Sequence, residues 1–277
     1  MKHETGFDRE LRALSAQFRQ SLPRALGNLN ALWQDLVTER VAPALMRELH
    51  RGLHSLAGSG STFGVPALTH TASAAEAFID DFAQRSVIPD ATQREQFARL
   101  LAAVASAVHA VADDAGPVNA EGQLPENGGA IDSDGSLPAL QGATNPMRKI
   151  KVLLAEDTRL IRMVAAALLA RHGCESVLVK DGIEALAAWE SERFDLVLMD
   201  VQMPEMDGLV AAAAIREREH GSAARVPIVA VTADAAPGER ERCIAAGMDD
   251  CVSKPLDGAI LAALIRRHVV GAGRAGA

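Results

Sequence analysis

The second half of the sequence alternates between short apolar runs and longer amphipathic segments, and this alternation is its strongest constraint on the fold. Strands that alternate with helices form a parallel sheet covered on both faces. We therefore predict a doubly wound α/β fold with five parallel strands and right-handed crossovers. The predicted strands are Lys151–Ala155, Ser176–Val179, Asp195–Met199, Pro227–Val231 and Asp250–Ser253. The predicted helices are Arg159–Arg171, Gly182–Glu192, Gly208–Glu219, Gly238–Ala246 and Leu256–Val269.

The first half carries the pattern of helices alone. Apolar residues recur there at spacings of three and four, which is the period of one helical face. Proline is favoured in the first turn of a helix, so we expect a helix break at Pro23. Four or five helices with short connections indicate an all-α antiparallel bundle. The predicted segments are Phe7–Gln20, Leu22–Glu39, Pro43 through His54, Pro66 through Phe82, and from Pro89-Asp90 to about Asp113.

Between the two halves, residues 116–147 are rich in Gly, Pro, Asn, Asp and Ser and show neither period. This composition is typical of a flexible linker. The chain of 277 residues is long enough for two domains. We therefore divide it into a helical domain over 1–115, a linker over 116–147 and an α/β domain over 148–271.

Charge and composition exclude several classes of protein. The formal net charge is −8 with no long basic run, which disfavours binding to nucleic acid or to a membrane surface. The N-terminus mixes acidic and basic residues and lacks the apolar core of a signal peptide. The three cysteines, Cys174, Cys243 and Cys251, have no metal or redox spacing, which favours free thiols in a reducing compartment. We expect a cytoplasmic protein.

Polar residues follow four of the predicted strands. Glu156 and Asp157 follow the first, Asp200 the third, Thr232 the fourth and Lys254 the fifth. The carboxyl ends of parallel strands meet at one edge of the sheet, where ligands bind. Three carboxylates held together repel one another unless a hard cation joins them, and Mg²⁺ prefers such oxygen ligands. A single aspartate after a strand is more often a helix cap, but matched residues at successive strand ends favour a site.

Residues from about 150 to 270 resemble the receiver domain of two-component response regulators, a flavodoxin-like fold. The resemblance lies in Glu156-Asp157, DVQMPEMDG at 200–208, Thr232-Ala233 and Lys254-Pro255, in that order. It implies that Asp200 is the phosphoacceptor. It also implies that Glu156, Asp157, Asp200 and the backbone carbonyl of Gln202 hold Mg²⁺, and that Thr232 and Lys254 bind the phosphoryl oxygens. The peptide bond between Lys254 and Pro255 is often cis in this family.

One position departs from the family's pattern. Receiver domains often carry an aromatic switch residue three positions before the lysine, where this chain has Cys251. The resemblance therefore predicts the magnesium and acceptor chemistry but not the usual aromatic-coupled rearrangement. The segments AGMDDCVSKP and VTADA are more similar to receivers attached to hybrid histidine kinases than to receivers fused to DNA-binding domains.

The helical half contains a candidate phosphoacceptor, His54. A helical projection places it on a basic, solvent-facing stripe with Arg47, His50, Arg51 and Gly58. Glycine costs about 1 kcal/mol relative to alanine within a helix, so its presence one turn after the histidine suggests a steric purpose. The alternative interpretation of His54 is an ordinary surface histidine. His50, on the same face, is a competing candidate for the phosphoacceptor.

The segment from His54 to Gly64, HSLAGSGSTFG, resembles the phosphoacceptor segment of histidine phosphotransfer (HPt) domains. Residues 1–115 are also similar to that family in length and layout. The resemblance implies that His54 is the phosphohistidine. The family usually has a lysine three residues later, where this chain has Ala57; we expect Arg51 to supply the missing cation.

Together these features predict a phosphorelay protein with two phosphorylation sites, Asp200 and His54. The sequence contains no P-loop and nothing that resembles the nucleotide-binding boxes of a histidine kinase, so we expect no kinase activity. Its expected partners are a sensor histidine kinase or other phosphorelay proteins.

Two alternatives stay open. The first half could be a degenerate bundle that only docks partners, which Ala57 favours. Alternatively, Asp200 could serve a metal-dependent phosphatase, although Gln202 stands where such enzymes carry a second aspartate.

Overall fold

In a computed structural model the chain forms two compact units, Met1–Glu121 and Gly122–Ala277. The structure describes residues 6–38, 43–85, 89–113, 149–220, 225–233 and 237–270. The predicted linker, 116–147, lies outside the described residues, so its flexibility and the exact domain boundaries stay predictions.

Within its described residues, the first unit is a bundle of four helices. Each helix packs against the next, and the last packs against the first. Its core is built from side chains that recur at helical spacing, among them Phe18, which stacks on Phe63 with 4.5 Å between ring centroids. Trp33 contacts Phe97 at the same centroid distance. The helices are α1 (Gly6–Thr38), α2 (Pro43–Thr62), α3 (Pro66–Arg85) and α4 (Ala91–Asp113).

The helix break expected at Pro23 is wrong, because α1 runs through it without interruption. A proline inside a helix removes one backbone hydrogen bond and costs about 3 kcal/mol. Here the ring is exposed, while the apolar stripe continues on both sides of it with Leu22 and Leu26 buried. Burial of that stripe along 33 residues outweighs the lost bond.

The second unit is the predicted parallel sheet. All four pairings are parallel and the strand order is β2-β1-β3-β4-β5. The predicted strands agree with the structure to within one residue at each end. The strands are β1 (Lys151–Ala155), β2 (Glu175–Val179), β3 (Leu196–Asp200), β4 (Ile228–Thr232) and β5 (Asp250–Ser253). The helices are α5 (Arg159–Arg171), α6 (Gly182–Ser191), α7 (Gly208–Glu219), α8 (Pro237–Ala245) and α9 (Gly258–Ile265), which continues as a π-helical turn over Arg266–Val270.

Each central strand supplies side chains to two separate cores, as the two-residue period of a strand requires. In β1, Leu153 and Ala155 pack on one face with Ala185 of α6 and Ala211 of α7. Val152 and Leu154 pack on the other face with Leu169 of α5 and Leu261 of α9. Because both faces are covered, the polar chemistry of the sheet is confined to its ends.

The amino end of β5 is anchored by a buried carboxylate, Asp250. Burial alone would raise the pKa of Asp250, but the amide of Cys251 at 2.9 Å and the guanidinium groups of Arg240 and Arg267 outweigh it and hold the pKa below its usual value. These contacts tie β5 to α8 and to the C-terminal turn. They fix the strand that ends next to Lys254.

None of the helices within the described ranges combines the length and apolar character that crossing a membrane requires.

Candidate functional site

The acidic residues that the sequence singles out meet at the carboxyl edge of the sheet. β1 and β3 are neighbours, and the strand order changes direction between them. Glu156 follows β1, Asp157 comes next, and Asp200 is the last residue of β3. Each of the three residues has one carboxylate oxygen that lies within 4.8 Å of such an oxygen in the other two. The structure therefore brings the three predicted metal ligands together.

A buried lysine bridges two of these carboxylates. The Lys254 Nζ donates to Asp200 Oδ2 at 2.7 Å and lies 2.8 Å from Glu156 Oε2. All three side chains are at most 3% exposed. Because charge-assisted bonds are strongest out of water, this bridge fixes the positions of both acids.

The protonation state of Lys254 follows from the same contacts. Burial by itself would lower the pKa of Lys254, but the carboxylates of Asp200 and Glu156 outweigh burial and raise the pKa above its usual value. Lys254 is therefore a permanent cation at neutral pH. Three carboxylates and one ammonium leave the pocket with a formal charge of −2. A divalent cation with oxygen ligands fits both the charge and the donor set.

The corner between β1 and α5 is organised by two residues that the sequence did not single out. The amide of Thr158 donates to Glu156 Oε1 at 3.0 Å, and its hydroxyl donates to Asp157 Oδ1 at 3.1 Å. The guanidinium of Arg162 donates to the backbone carbonyls of both acids. Their sequence signal is position, at the N-cap and in the first turn of the helix that follows the acidic pair.

The loop after β3 is held tightly against Asp200 by a glycine. A Cβ at Gly208 would lie 2.1 Å from the Asp200 carbonyl oxygen, which no side chain could tolerate. The Gly208 amide donates to Val201 O at 2.9 Å, and α7 begins at Gly208. The amide of Gln202 donates to Asp200 Oδ1 at 3.2 Å. Metal binding by the Gln202 carbonyl stays a prediction.

The remaining residues of the predicted site lie at the same edge. Thr232 ends β4 and is buried, and its carbonyl accepts from the Lys254 amide at 2.6 Å. The peptide bond between Lys254 and Pro255 is cis, so that expectation is confirmed. Cys251 is buried within β5.

The predicted exposure of His54 is wrong. The residue is 5% exposed, and its Nδ1 lies 2.7 Å from Glu76 Oε1 on α3. The residues of the predicted basic stripe do not share one exposed face: Arg47 and Arg51 are exposed, whereas Gly58 is buried. The projection assumed one buried face, but α2 contacts α1 on one side and α3 on another, so its buried arc is wider.

Small residues explain how closely α2 approaches its neighbours. A Cβ at Gly60 would lie 2.9 Å from Thr69 Oγ1 of α3, and one at Gly52 would lie 2.7 Å from Leu29 Cδ2 of α1. Such contacts depend on which helices become neighbours, which the projection of a single helix does not contain. His54 therefore lies in the seam between α2 and α3.

Acidic residues of α3 face both histidines of this seam. Besides its contact with His54, Glu76 Oε1 lies 3.8 Å from His50 Nε2, and Asp80 Oδ1 lies 3.5 Å from the same nitrogen. Glu76 is 13% exposed, between buried Ala75 and Ile79. Glu76 was not predicted from the sequence, where its signal is an acidic side chain next to apolar positions that repeat at helical spacing.

Two family models match the chain. The model of the response regulator receiver domain matches residues 152–266, and the model of the Hpt domain matches residues 13–109.

Curated relatives match about two fifths of the chain. Hybrid signal transduction histidine kinase G of Dictyostelium discoideum is 41% identical over 123 residues, which are 44% of this chain and 4% of that protein. Sensor histidine kinase AruS of Pseudomonas aeruginosa is 42% identical over 120 residues, which are 42% of this chain and 12% of that protein. The chain thus spans only a small part of these relatives.

Among solved structures, the chain is similar to the receiver domain of a sensor histidine kinase from Pseudomonas aeruginosa, whose crystal structure holds a magnesium ion in the active-site cleft. The identity is 40% over 44% of this chain and 99% of that one, with a TM-score of 0.41.

Proposed function

This chain joins an Hpt domain to a response regulator receiver domain, and we propose that it carries phosphoryl groups between histidine and aspartate in a phosphorelay. The observation that carries the proposal is the acidic pocket, in which Asp200 lies beside Lys254 and two further carboxylates. Its partners are a sensor histidine kinase or other phosphorelay proteins. We place it in the cytoplasm, where three buried free cysteines stay reduced.

Asp200 is the proposed phosphoacceptor. A carboxylate oxygen of Asp200 attacks the phosphorus of a phosphohistidine, an O–P bond forms, and the P–N bond breaks as the imidazole leaves. Glu156, Asp157 and Asp200, with the Gln202 carbonyl, would hold Mg²⁺, which when bound neutralises charge on the phosphoryl oxygens. Lys254 donates to one of these oxygens, and the Thr232 hydroxyl donates to another.

His54 is the proposed second acceptor. A carboxylate at Nδ1 favours the tautomer that has its proton on Nδ1 and its lone pair on Nε2. That lone pair attacks the phosphorus of an aspartyl phosphate, the N–P bond forms, and the carboxylate leaves. Nε2 is buried, so acceptance also requires a local movement that uncovers it.

The burial of His54 favours a second candidate for the helical domain. If Nε2 is never uncovered, the bundle only docks partners and the chain has one phosphorylation site, Asp200. Ala57, in place of the lysine usual in the family, points the same way.

Phosphorylation of the full chain by acetyl phosphate and Mg²⁺ distinguishes the two candidates. Mass spectrometry locates the phosphoryl group over time, with a His54→Gln variant alongside. A two-site relay gives label on Asp200 first and on His54 later, and the variant loses only the later signal. Label on Asp200 alone, also after addition of a foreign phosphorylated receiver, supports the docking bundle. Absence of label on Asp200 contradicts the proposed function.

Loss of the Glu76 charge is expected to slow phosphorylation of His54. A Glu76→Gln side chain can still accept from Nδ1, but it no longer stabilises positive charge on the ring as Nε2 attacks. Charge-assisted hydrogen bonds are about twice as strong as neutral ones, and we expect a rate about tenfold lower. The measurement is the rate at which phosphohistidine appears, together with the ¹⁵N shifts that report the tautomer of His54.

Asp80→Asn is the matched control for this variant. It removes the same charge one turn further along α3, from a side chain that is 46% exposed and faces His50. We expect less than a twofold change there. Equal rates in wild type and Glu76→Gln would show that Glu76 has no part in the transfer.

A further inference from the structure

We propose that Arg162 is a positioning residue for the magnesium ligands of the receiver domain. The inference rests on the proposed function, since it assigns a role toward the cation that Glu156 and Asp157 would hold. It concerns a residue that acts through the backbone of the acidic pair.

Thr158 has an unusual role at the start of α5. Thr158 occupies the N-cap position with an extended backbone (φ −78°, ψ 109°), yet its side chain makes no capping bond to the helix. N-cap threonines normally accept from an amide of the first turn, a bond worth about 1 kcal/mol. Here the hydroxyl donates to Asp157 Oδ1. The side chain at the start of α5 thus helps to fix a carboxylate of the acidic pair.

Arg162 completes this corner from one turn further along. Its Nη1 donates to the carbonyl oxygens of Glu156 and of Asp157, the latter at 3.2 Å. Glu156 is 3% exposed, and a buried carbonyl that lacks a donor is unfavourable. The two bonds fix the peptide planes from which both metal ligands project. Side chains that hold metal ligands in place commonly change metal affinity when they are removed.

The charge of Arg162 and its hydrogen bonds predict opposite effects of its removal on the affinity for Mg²⁺. A guanidinium close to the acidic pair repels a divalent cation, so by charge alone its removal would tighten Mg²⁺ binding. If the hydrogen bonds to the two carbonyls matter more, its removal loosens the ligands and weakens binding. The sign of the change therefore separates the two.

The experiment is isothermal titration of the full chain with Mg²⁺. We expect Arg162→Met to raise the dissociation constant about tenfold. Arg162→Lys keeps the charge on a shorter side chain, and we expect it to weaken binding as well. In the acetyl phosphate reaction, the Mg²⁺ concentration for half-maximal rate should rise more than the maximal rate falls. Circular dichroism at each titration temperature verifies that the variants are folded.

Arg159→Met is the matched control. Arg159 is exposed at the first position of α5 and carries the same charge. We expect its dissociation constant to stay within twofold of wild type. Unchanged or tighter binding in Arg162→Met, with a wild type that binds Mg²⁺, would overturn the role of Arg162 alone. Absence of Mg²⁺ binding by the wild type would instead contradict the proposed function.

Discussion

The Asp200→Asn variant is expected to accept a phosphoryl group on its receiver domain at a rate lower by a factor on the order of a thousand or more. An amide oxygen is a poor nucleophile, and the substitution also reduces the formal charge of the pocket from −2 to −1, which weakens its attraction for a divalent cation. The fold should persist, since Lys254 keeps its contact with Glu156 at 2.8 Å. The measurement is the Mg²⁺-dependent incorporation of phosphate from acetyl phosphate, with the site located by mass spectrometry. In the two-site relay, label on His54 disappears with it.

Asp207→Asn is the control from the same loop. Asp207 is exposed, and its side chain caps α7 by accepting from the Val210 amide at 2.8 Å. Asparagine caps helices about as well as aspartate, so this variant should be labelled at nearly the wild-type rate. If the receiver domain of Asp200→Asn is still phosphorylated at the rate of Asp207→Asn, the phosphoacceptor is a residue other than Asp200.

The architecture of the receiver domain and the grouping of its acidic residues were predictable from the sequence. Parallel strands with apolar runs have few alternatives, and their carboxyl ends share one edge whatever the loops do. Glu156, Asp200 and Lys254 therefore come together because of strand order and register. The corner residues Thr158 and Arg162 were not predictable, because their contacts depend on the rotamers of side chains within one loop.

The bundle was less predictable because its details depend on which helices become neighbours. The helical period correctly identifies the segments, but at Pro23 the local preference to end a helix is weaker than the burial of the stripe around it. The burial of His54 follows from two neighbours, α1 and α3, which approach α2 at Gly52 and Gly60. Glu76 lies 22 residues from His54 in sequence, so no local pattern relates the two.

The Lys254→Met variant is expected to lose both stability and phosphoryl acceptance. Removal of one partner from a buried ion pair commonly costs about 3–5 kcal/mol, because a charge is left without compensation. Here Glu156 and Asp200, at 3% and 1% side-chain exposure, would face each other and Asp157 without any ammonium. In EDTA we expect the melting transition of the receiver domain to fall by roughly 10 °C, measured by calorimetry of the full chain.

Addition of Mg²⁺ should restore more stability to Lys254→Met than to the wild type, since the cation takes the place of the missing charge. Lys180→Met is the control, because the Lys180 side chain is 60% exposed and its ammonium pairs with Glu184 at the surface, at 3.3 Å. Such a pair contributes about 0–1 kcal/mol, and its loss should not respond to Mg²⁺. Rescue of stability without rescue of phosphorylation in Lys254→Met would separate the two roles of the lysine. The cation can balance the carboxylates, but it cannot donate from the position of Nζ to the incoming phosphoryl oxygen. Equal stability of Lys254→Met and wild type in EDTA would show that the buried bridge does not hold the pocket together.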